Sequence, residues 1–181
     1  HFSNKFKNEK DYFYKVNVHL TKKIAEGAAI SKVKKIIFLS SIKVNGEYTS
    51  FNRPFLSTDN PNPQDDYGVS KLEVEKQIIA FCNCSSLKYT IVRPPLIYGP
   101  NAKGNFKLIL DFIKMGIPLP FKLLNNQRSF ISIYNLVDFL IFSIEEKISN
   151  NKVILVSDGD DKSISKMIVK IHKYTKKNNI F

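Results

Sequence analysis

The stretch Tyr-Gly-Val-Ser-Lys at residues 67–71 begins a helical segment between two predicted strands, and this unit decides the fold. Residues 33–39 (VKKIIFL) are rich in β-branched side chains, which is typical of a buried parallel strand. Residues 88–93 (KYTIVR) form a second such segment, which ends at Pro94 and Pro95. A strand, a helix and a strand in succession imply a right-handed crossover and a parallel sheet. The sequence therefore predicts an α/β fold.

Tyr67 and Lys71 are four residues apart, so on a helix their side chains share one face. A fixed ammonium beside the phenol favours the phenolate and lowers the tyrosine pKa from its usual value of about 10. Such a pair can carry out acid–base chemistry. The alternative is an ordinary surface helix, because Tyr-x-x-x-Lys is a short pattern that recurs by chance.

Polar residues follow the first predicted strand, at the end where ligands bind in open α/β sheets. They include Ser40, Ser41 and Lys43. The loop over residues 47–66 is too long for a simple connector, and loops of that length in compact domains are usually functional. We therefore expect a site at this edge of the sheet. The alternative for Ser41 is a strand-end serine that only bonds the backbone.

The composition is that of a globular chain, with 181 residues, 43% hydrophobic and 24% charged. A net charge of +12 raises nucleic acid as a partner. The lysines are scattered among many asparagines and isoleucines, however, so we expect no nucleic acid partner. A basic cleft that attracts a diphosphate remains compatible with the charge. No apolar run approaches the roughly 20 residues that a bilayer requires, so we expect a cytoplasmic protein with no membrane partner.

The cysteines and histidines indicate neither disulfides nor a metal site. Cys82 and Cys84 are separated by one residue, a spacing narrower than zinc sites use, and are predicted to be free thiols of a reducing compartment. His1, His19 and His172 have no partners at metal-ligand spacing. We therefore propose no metal.

The remaining pattern predicts further helices and strands around the central unit. The helices cover residues 12–26, 71–79, 105–115, 135–146 and 163–176, and the strands cover residues 130–133 and 153–156. Gly27 is expected to end the first helix, and Ser163 is expected to be the N-cap of the last. Residues 96–100 are expected to form a turn region.

Several motifs occur in a characteristic order. They are Phe-Leu-Ser-Ser (38–41), Tyr67-x-x-x-Lys71, Arg-Pro-Pro-Leu-Ile-Tyr-Gly-Pro (93–100), Lys-Gly-Asn-Phe (103–106), Asn-Gln-Arg-Ser-Phe (126–130) and Asn-Leu-Val-Asp (135–138). In this order the chain resembles the extended short-chain dehydrogenases/reductases, in the branch of the NAD-dependent nucleotide-sugar epimerases, dehydratases and 4-keto reductases. The resemblance implies a Rossmann-like parallel sheet. Residues 1–100 would be the carboxy-terminal part of the dinucleotide-binding domain, and residues 101–181 mainly a smaller mixed α/β substrate-binding region, with some segments returning to the first domain.

The resemblance also implies roles for individual residues. Tyr67 would be the acid–base residue at a sugar hydroxyl, Lys71 would depress its pKa and bond the nicotinamide ribose, and Ser41 would share the substrate proton. The residues implied in binding the cofactor, NAD or NADP, are Asn17, Ser40, Tyr67, Lys71, Pro94 and Pro95. Those implied in binding substrate are Lys43, Leu96, Asn105 and Arg128. The alternatives are that the prolines only end a strand, that Asn105 is only an N-cap, and that Arg128 is a surface arginine.

The implied function is a nucleotide-sugar 4-epimerase or 4-keto-sugar reductase of surface-polysaccharide synthesis, which transfers hydride at the sugar C4 atom. The family often pairs into homodimers. Leu96 stands where many nucleotide-sugar epimerases carry an asparagine, which slightly favours the reductase or a less typical epimerase. Two alternatives are a reductase of a non-sugar ketone and a catalytically silent relative that senses dinucleotide.

One expected motif does not occur in the sequence. The seven glycines form no glycine-rich turn of the kind that holds a dinucleotide pyrophosphate, and the first residue is His1. We therefore expect an N-terminally truncated fragment that lacks roughly the first third of the family's fold. On its own such a chain should bind the cofactor weakly and have negligible turnover.

Overall fold

The computed structural model describes residues 18–50, 52–100, 110–111 and 127–177. The chain divides into two compact units, the first formed by His1–Pro94 and Phe139–Val156 and the second by Pro95–Asp138 and Ser157–Phe181. The domain boundary expected near residue 100 stays a prediction.

Within the described residues, the helices and strands have the following bounds in chain order. They are α1 (Leu20–Ile30), β1 (Lys35–Leu39), a 3-10 turn (Ile42–Val44), α2 (Asp66–Asn83), β2 (Lys88–Arg93), β3 (Leu96–Tyr98), β4 (Phe130–Ser132), α3 (Ile133–Glu145), a second 3-10 turn (Lys147–Ser149), β5 (Lys152–Leu155) and α4 (Ile164–Lys177).

The first unit contains a parallel sheet in the order β1-β2-β5. Phe38 pairs with Ile91 in the β1–β2 register, and Arg93 pairs with Leu155 in the β2–β5 register. Because α2 connects β1 to β2, the predicted strand–helix–strand unit and its parallel pairing are confirmed. In the second unit β3 and β4 form a separate parallel pair.

The core of the first unit fixes α2 against the sheet. Val74, Ile78 and Cys82 recur every four residues and are at most 5% exposed, so they present one apolar face of the helix. They belong to one cluster with Tyr89 and Ile91 of β2. Burying a Val or Ile side chain contributes about 1.5–3 kcal/mol relative to leaving it in water. The position of Tyr67 and Lys71 on the same helix is therefore set by this packing.

Lys35 of β1 attaches the carboxyl end of α3 to the same sheet. The Lys35 ammonium donates to the Ser143 carbonyl at 2.6 Å, to the Glu146 carbonyl at 2.9 Å and to the Ser149 hydroxyl at 3.1 Å. The last carbonyls of a helix have no partners within the helix, and a cation there satisfies them. This contact joins β1 to the segment that leads into β5.

Several predicted boundaries differ from those observed. The first helix does not stop at Gly27 but runs to Ile30, because Ser31 N–H still donates to the Gly27 carbonyl. Residues 96–100 are not only a turn, since Leu96–Tyr98 pairs with β4. The helix around Tyr67 begins at Asp66, earlier than the predicted residue 71. Ser163 caps α4 as predicted, because its hydroxyl oxygen accepts from Lys166 N–H at 3.2 Å. Residues 12–17, and all of residues 105–115 except 110–111, lie outside the described residues.

Two simpler predictions concern thiols and membranes. Cys82 is buried and Cys84 is exposed, and both are free, as predicted. Within the described ranges, no helix combines the length and the apolar character needed to span a bilayer.

Candidate active site

The segment after β1 is fixed against the end of β2. Ser40 N–H donates to the Val92 carbonyl at 2.7 Å, and Ile42 N–H donates to the Pro94 carbonyl at 3.0 Å. Between them, the half-buried Ser41 caps the 3-10 turn, and its hydroxyl oxygen accepts from Lys43 N–H at 3.3 Å. A hydroxyl that accepts one such bond still has its own proton to donate. Ser41 thus bonds the backbone, and its hydroxyl is still able to donate a proton.

The first turn of α2 lies directly against this segment. The Asp65 carboxylate caps the helix by accepting from Gly68 N–H at 2.6 Å. It also pairs with the Lys43 ammonium, which contacts Glu47 at 3.1 Å as well. A Cβ atom on Gly68 would lie 3.0 Å from the Lys43 carbonyl oxygen and 3.0 Å from the Pro63 Cβ atom. Glycine at this position therefore allows the close approach of the helix that carries Tyr67.

The Lys71 ammonium lies between Tyr67 and the end of β1. It is 5.7 Å from the centre of the Tyr67 ring and 4.8 Å from the centre of the Phe38 ring. It donates to the Leu39 carbonyl at 3.0 Å. The predicted shared face is therefore observed, and the strand end holds the lysine in place. Attraction to an aromatic face favours a cation at this point.

The pKa of Tyr67 departs from its ordinary value in the direction opposite to that predicted. Burial of the phenol raises it, the charge of Asp65 raises it further, and the charge of Lys43 lowers it, with a net increase. Burial also lowers the pKa of Lys71, although the charge of Glu75 opposes that effect. The expected lowering of the Tyr67 pKa is thus wrong for this structure, because desolvation and the charge of Asp65 outweigh the charge of Lys43.

The pKa values of the Lys43–Asp65 pair follow from its contacts. Burial tends to raise the pKa of Asp65, but hydrogen bonds from Lys43 and from Gly68 N–H hold it below its usual value. The hydrogen bond to Asp65 raises the pKa of Lys43 despite partial burial. Both groups are therefore charged at neutral pH.

A buried ion pair behind the strand end was not predicted. Glu75 is 1% exposed and Arg93 is 3% exposed, and the two form a bidentate pair with nitrogen–oxygen distances of 3.0 and 2.5 Å. Ser40 donates to Glu75 at 2.5 Å, and Arg93 donates to the Asn45 side chain at 2.8 Å. The sequence feature that could have pointed to Glu75 is its spacing, four residues after Lys71 and eight after Tyr67, which places it on the same face of the helix.

The structure brings together only some of the predicted site residues. Ser40, Ser41, Lys43, Tyr67, Lys71 and Pro94 all belong to the first unit and are linked by the contacts above. Pro95, Leu96 and Arg128 belong to the second unit. Their cofactor and substrate roles stay predictions, as do those of Asn17 and Asn105, which lie outside the described residues.

In the second unit, two of the predicted substrate residues have identifiable contacts. Leu96 packs against the cluster formed by Phe130 and Met167. Arg128 is exposed, and its backbone pairs in an antiparallel bridge with Lys162. Packing therefore accounts for Leu96 in this structure, whereas Arg128 lies at the surface.

Comparison with known proteins agrees with the architecture. The model of the NAD dependent epimerase/dehydratase family matches residues 3–157. A UDP-glucose 4-epimerase of Vibrio cholerae is 46% identical over 157 residues, which are 86% of this chain and 48% of that protein. The chain thus spans about half the length of this curated relative.

Solved structures show the same fold at lower identity. The UDP-glucuronic acid 4-epimerase of Bacillus cereus, in complex with NAD, superimposes with a TM-score of 0.80 at 24% identity, over 92% of this chain and 56% of that one. A short-chain dehydrogenase/reductase superfamily protein of Agrobacterium tumefaciens, with bound NAD, gives 0.75 at 14% identity, over 97% and 63%. The predicted Rossmann-like parallel sheet is confirmed.

Proposed function

The chain belongs to the NAD dependent epimerase/dehydratase family, and from this premise we propose that it carries the proton-transfer residues of an NAD-dependent nucleotide-sugar 4-epimerase. The observation that carries the proposal is the Lys71 ammonium, held by the Leu39 carbonyl beside the Tyr67 ring. Ser41 lies in the segment that directly follows that carbonyl. Two hydroxyl groups and one fixed cation suit proton exchange at a sugar hydroxyl.

The residues present fit the nicotinamide end of NAD. An ammonium has three N–H donors, and the Lys71 bond to Leu39 uses one of them. The donors that remain suit the hydroxyl groups of a ribose. The sequence has no glycine-rich turn for the pyrophosphate. The chemistry that NAD supplies when bound is acceptance and return of a hydride.

In the proposed reaction the chain moves one proton in each direction. When the substrate C4–H bond breaks with loss of hydride, the C4 hydroxyl proton passes to the Tyr67 oxygen, directly or through Ser41. When hydride returns to the other face of the ketone, Tyr67 gives the proton back to the oxygen. The raised pKa of Tyr67 favours the neutral phenol, the form that donates in this second step. The Lys71 cation stabilises the phenolate that the first step needs to accept a proton.

A 4-keto-sugar reductase is the second candidate. It is favoured by Leu96, an apolar residue that packs on Phe130 and Met167 rather than offering a polar group. A reductase would use the Tyr67 phenol only as a proton donor and would consume reduced cofactor. The nucleotide-sugar substrate, the role in surface-polysaccharide synthesis and the homodimer also belong to the proposal.

A hybrid enzyme tests the proposal. The matched segment of the Vibrio cholerae relative is replaced by the corresponding residues of this chain, and interconversion of UDP-glucose and UDP-galactose is measured. We expect the hybrid to be active and Tyr67→Phe to lower kcat by about 10²–10⁴-fold, since general acid–base catalysis contributes that much. Tyr48→Phe is the matched control, because Tyr48 is 87% exposed.

Two results would contradict this function. One is a folded hybrid that leaves UDP-glucose and UDP-galactose unchanged in the presence of NAD. The other is a Tyr67→Phe hybrid as active as the Tyr48→Phe control. A hybrid that only reduces 4-keto sugars with reduced cofactor would favour the reductase.

A further inference from the structure

The Glu75–Arg93 ion pair connects three segments of the candidate site. Glu75 accepts from Ser40, which immediately precedes Ser41. Arg93 ends β2 and donates to Asn45, which in turn donates to the Leu56 carbonyl at 2.9 Å in the long loop. One buried pair thus links the helix of Tyr67 directly to Ser40 and, through Asn45, to the long loop.

Stability alone is a weak explanation for this pair. Taking two charges out of water is costly, and apolar residues of similar volume in place of a buried pair often leave a protein as stable or more stable. Here the side-chain hydrogen bonds that the pair makes to its neighbours lead to the candidate site: Glu75 accepts from Ser40, and Arg93 donates to Asn45. The carboxylate also follows Lys71 by one helical turn, so its charge acts on the ammonium.

The charges around Lys71 show what Glu75 contributes there. Lys71 is half-buried, faces Tyr67 on its own helix, and meets Phe38 and the Leu39 carbonyl on β1. Burial favours the neutral amine, whereas the negative charge of Glu75 favours the ammonium. Arg93 neutralises much of that charge at close range, so the pair combines a rigid anchor with a modest electrostatic effect.

We propose that Glu75 is a positioning residue, which through Arg93 and Ser40 fixes the Ser41 hydroxyl and the Lys71 ammonium in the geometry for proton transfer at Tyr67. This inference rests on the proposed function. The role assigned to Glu75 requires no contact with substrate or cofactor. It acts through Ser40 on Ser41 and through its charge on Lys71.

The test uses the hybrid enzyme and four variants. Glu75→Gln keeps the shape but removes the charge, and we expect kcat to fall about 10- to 100-fold with little change in KM, because small displacements of reacting groups cost that much. Glu75→Met combined with Arg93→Met removes both charges and should recover thermal stability without recovering kcat. Glu75→Asp should recover part of the kcat lost in Glu75→Gln. Glu73→Gln is the control on the same helix, where Glu73 contacts Gln77 instead, and should leave kcat unchanged.

A second readout does not depend on activity. In the 181-residue chain, the rate at which an amine-acylating reagent modifies Lys71 at fixed pH is followed by mass spectrometry. Because only the neutral amine reacts, we expect Glu75→Gln to react faster than both the unaltered chain and Glu73→Gln. This measurement remains informative if the hybrid is inert, an outcome that would overturn the proposed function.

Three outcomes would overturn the inference. The first is a Glu75→Gln hybrid with unchanged kcat. The second is a thermally stable Met/Met double variant with full kcat, which would show that the pair only stabilises the fold. The third is Lys71 acylation at the same rate in Glu75→Gln and Glu73→Gln.

Discussion

Replacing Gly68 by alanine should destabilise the protein, although alanine is the better helix former. The change from glycine to alanine within a helix gains at most about 1 kcal/mol. Against this gain, the new Cβ atom would lie 3.0 Å from the Lys43 carbonyl oxygen, 3.0 Å from Pro63 Cβ and 3.1 Å from Asp65 Oδ1. The segment cannot easily withdraw, because the Val44 carbonyl accepts from Asn62 N–H at 3.0 Å and Asn45 is buried.

Overpacking of this kind costs about 1–3 kcal/mol. Taking about 2 kcal/mol, the net loss of unfolding free energy is about 1 kcal/mol, which corresponds to a fall in Tm of about 2–4 °C for a chain of this size. Urea and thermal unfolding of the 181-residue chain, followed by far-ultraviolet circular dichroism, would measure it.

Gly27→Ala is the matched control. Gly27 lies inside α1, and nothing lies within 4 Å of where its Cβ atom would be. The same change there should stabilise the chain by up to about 1 kcal/mol through helix propensity alone. The two variants should therefore shift stability in opposite directions. Equal stabilisation by both variants would show that a Cβ atom at position 68 causes no costly clash, because the segment around Lys43 moves away from it.

Two further predictions concern charge and cofactor. Asp65→Ala should lower the free energy of unfolding by about 1 kcal/mol at pH 7 through loss of the helix cap. Because the pKa of Asp65 is lowered in the folded state, its carboxylate stabilises the fold fully above the unfolded pKa of about 3.9, and this stabilisation is lost as the pH falls through the folded pKa. The loss of unfolding free energy, measured by urea unfolding, should therefore shrink at acidic pH. A loss of unfolding free energy in Asp65→Ala that stayed the same at every pH would contradict the lowered pKa of Asp65. Titration of the 181-residue chain with NAD, followed by calorimetry, should show only weak binding, since no glycine-rich turn is present to hold the pyrophosphate; micromolar affinity would show that reasoning to be wrong.

The central unit could be predicted from the sequence because its signals are local. The β-branched residues of β1, the apolar run of β2 and the Tyr67–Lys71 spacing each lie within a few residues. The end of α1 was mispredicted at Gly27, because glycine in an open, solvated helix position is tolerated. The short strand Leu96–Tyr98 was missed, since its partner Phe130–Ser132 is more than thirty residues away.

Within the site, residue identity was more predictable than electrostatics. The shared face of Tyr67 and Lys71 follows from helix geometry. The direction of the Tyr67 pKa does not, because it depends on burial by segments that are distant in the sequence. The Glu75–Arg93 pair joins a helix to the end of the following strand, and the spacing of Glu75 on the helix of Tyr67 does not identify Arg93 as its partner.

The alternation of side chains at the end of β1 has a consequence for how this region can evolve. Ser40 is buried and bonds Glu75, while its neighbour Ser41 caps the 3-10 turn. Successive residues of a strand point to opposite faces, so inserting or deleting one residue in Lys35–Leu39 would exchange the surroundings of the two serines. A substitution alters one contact, whereas a change in length alters every contact beyond it. Lineages of this protein should therefore vary in residue type within the strand while keeping its length constant.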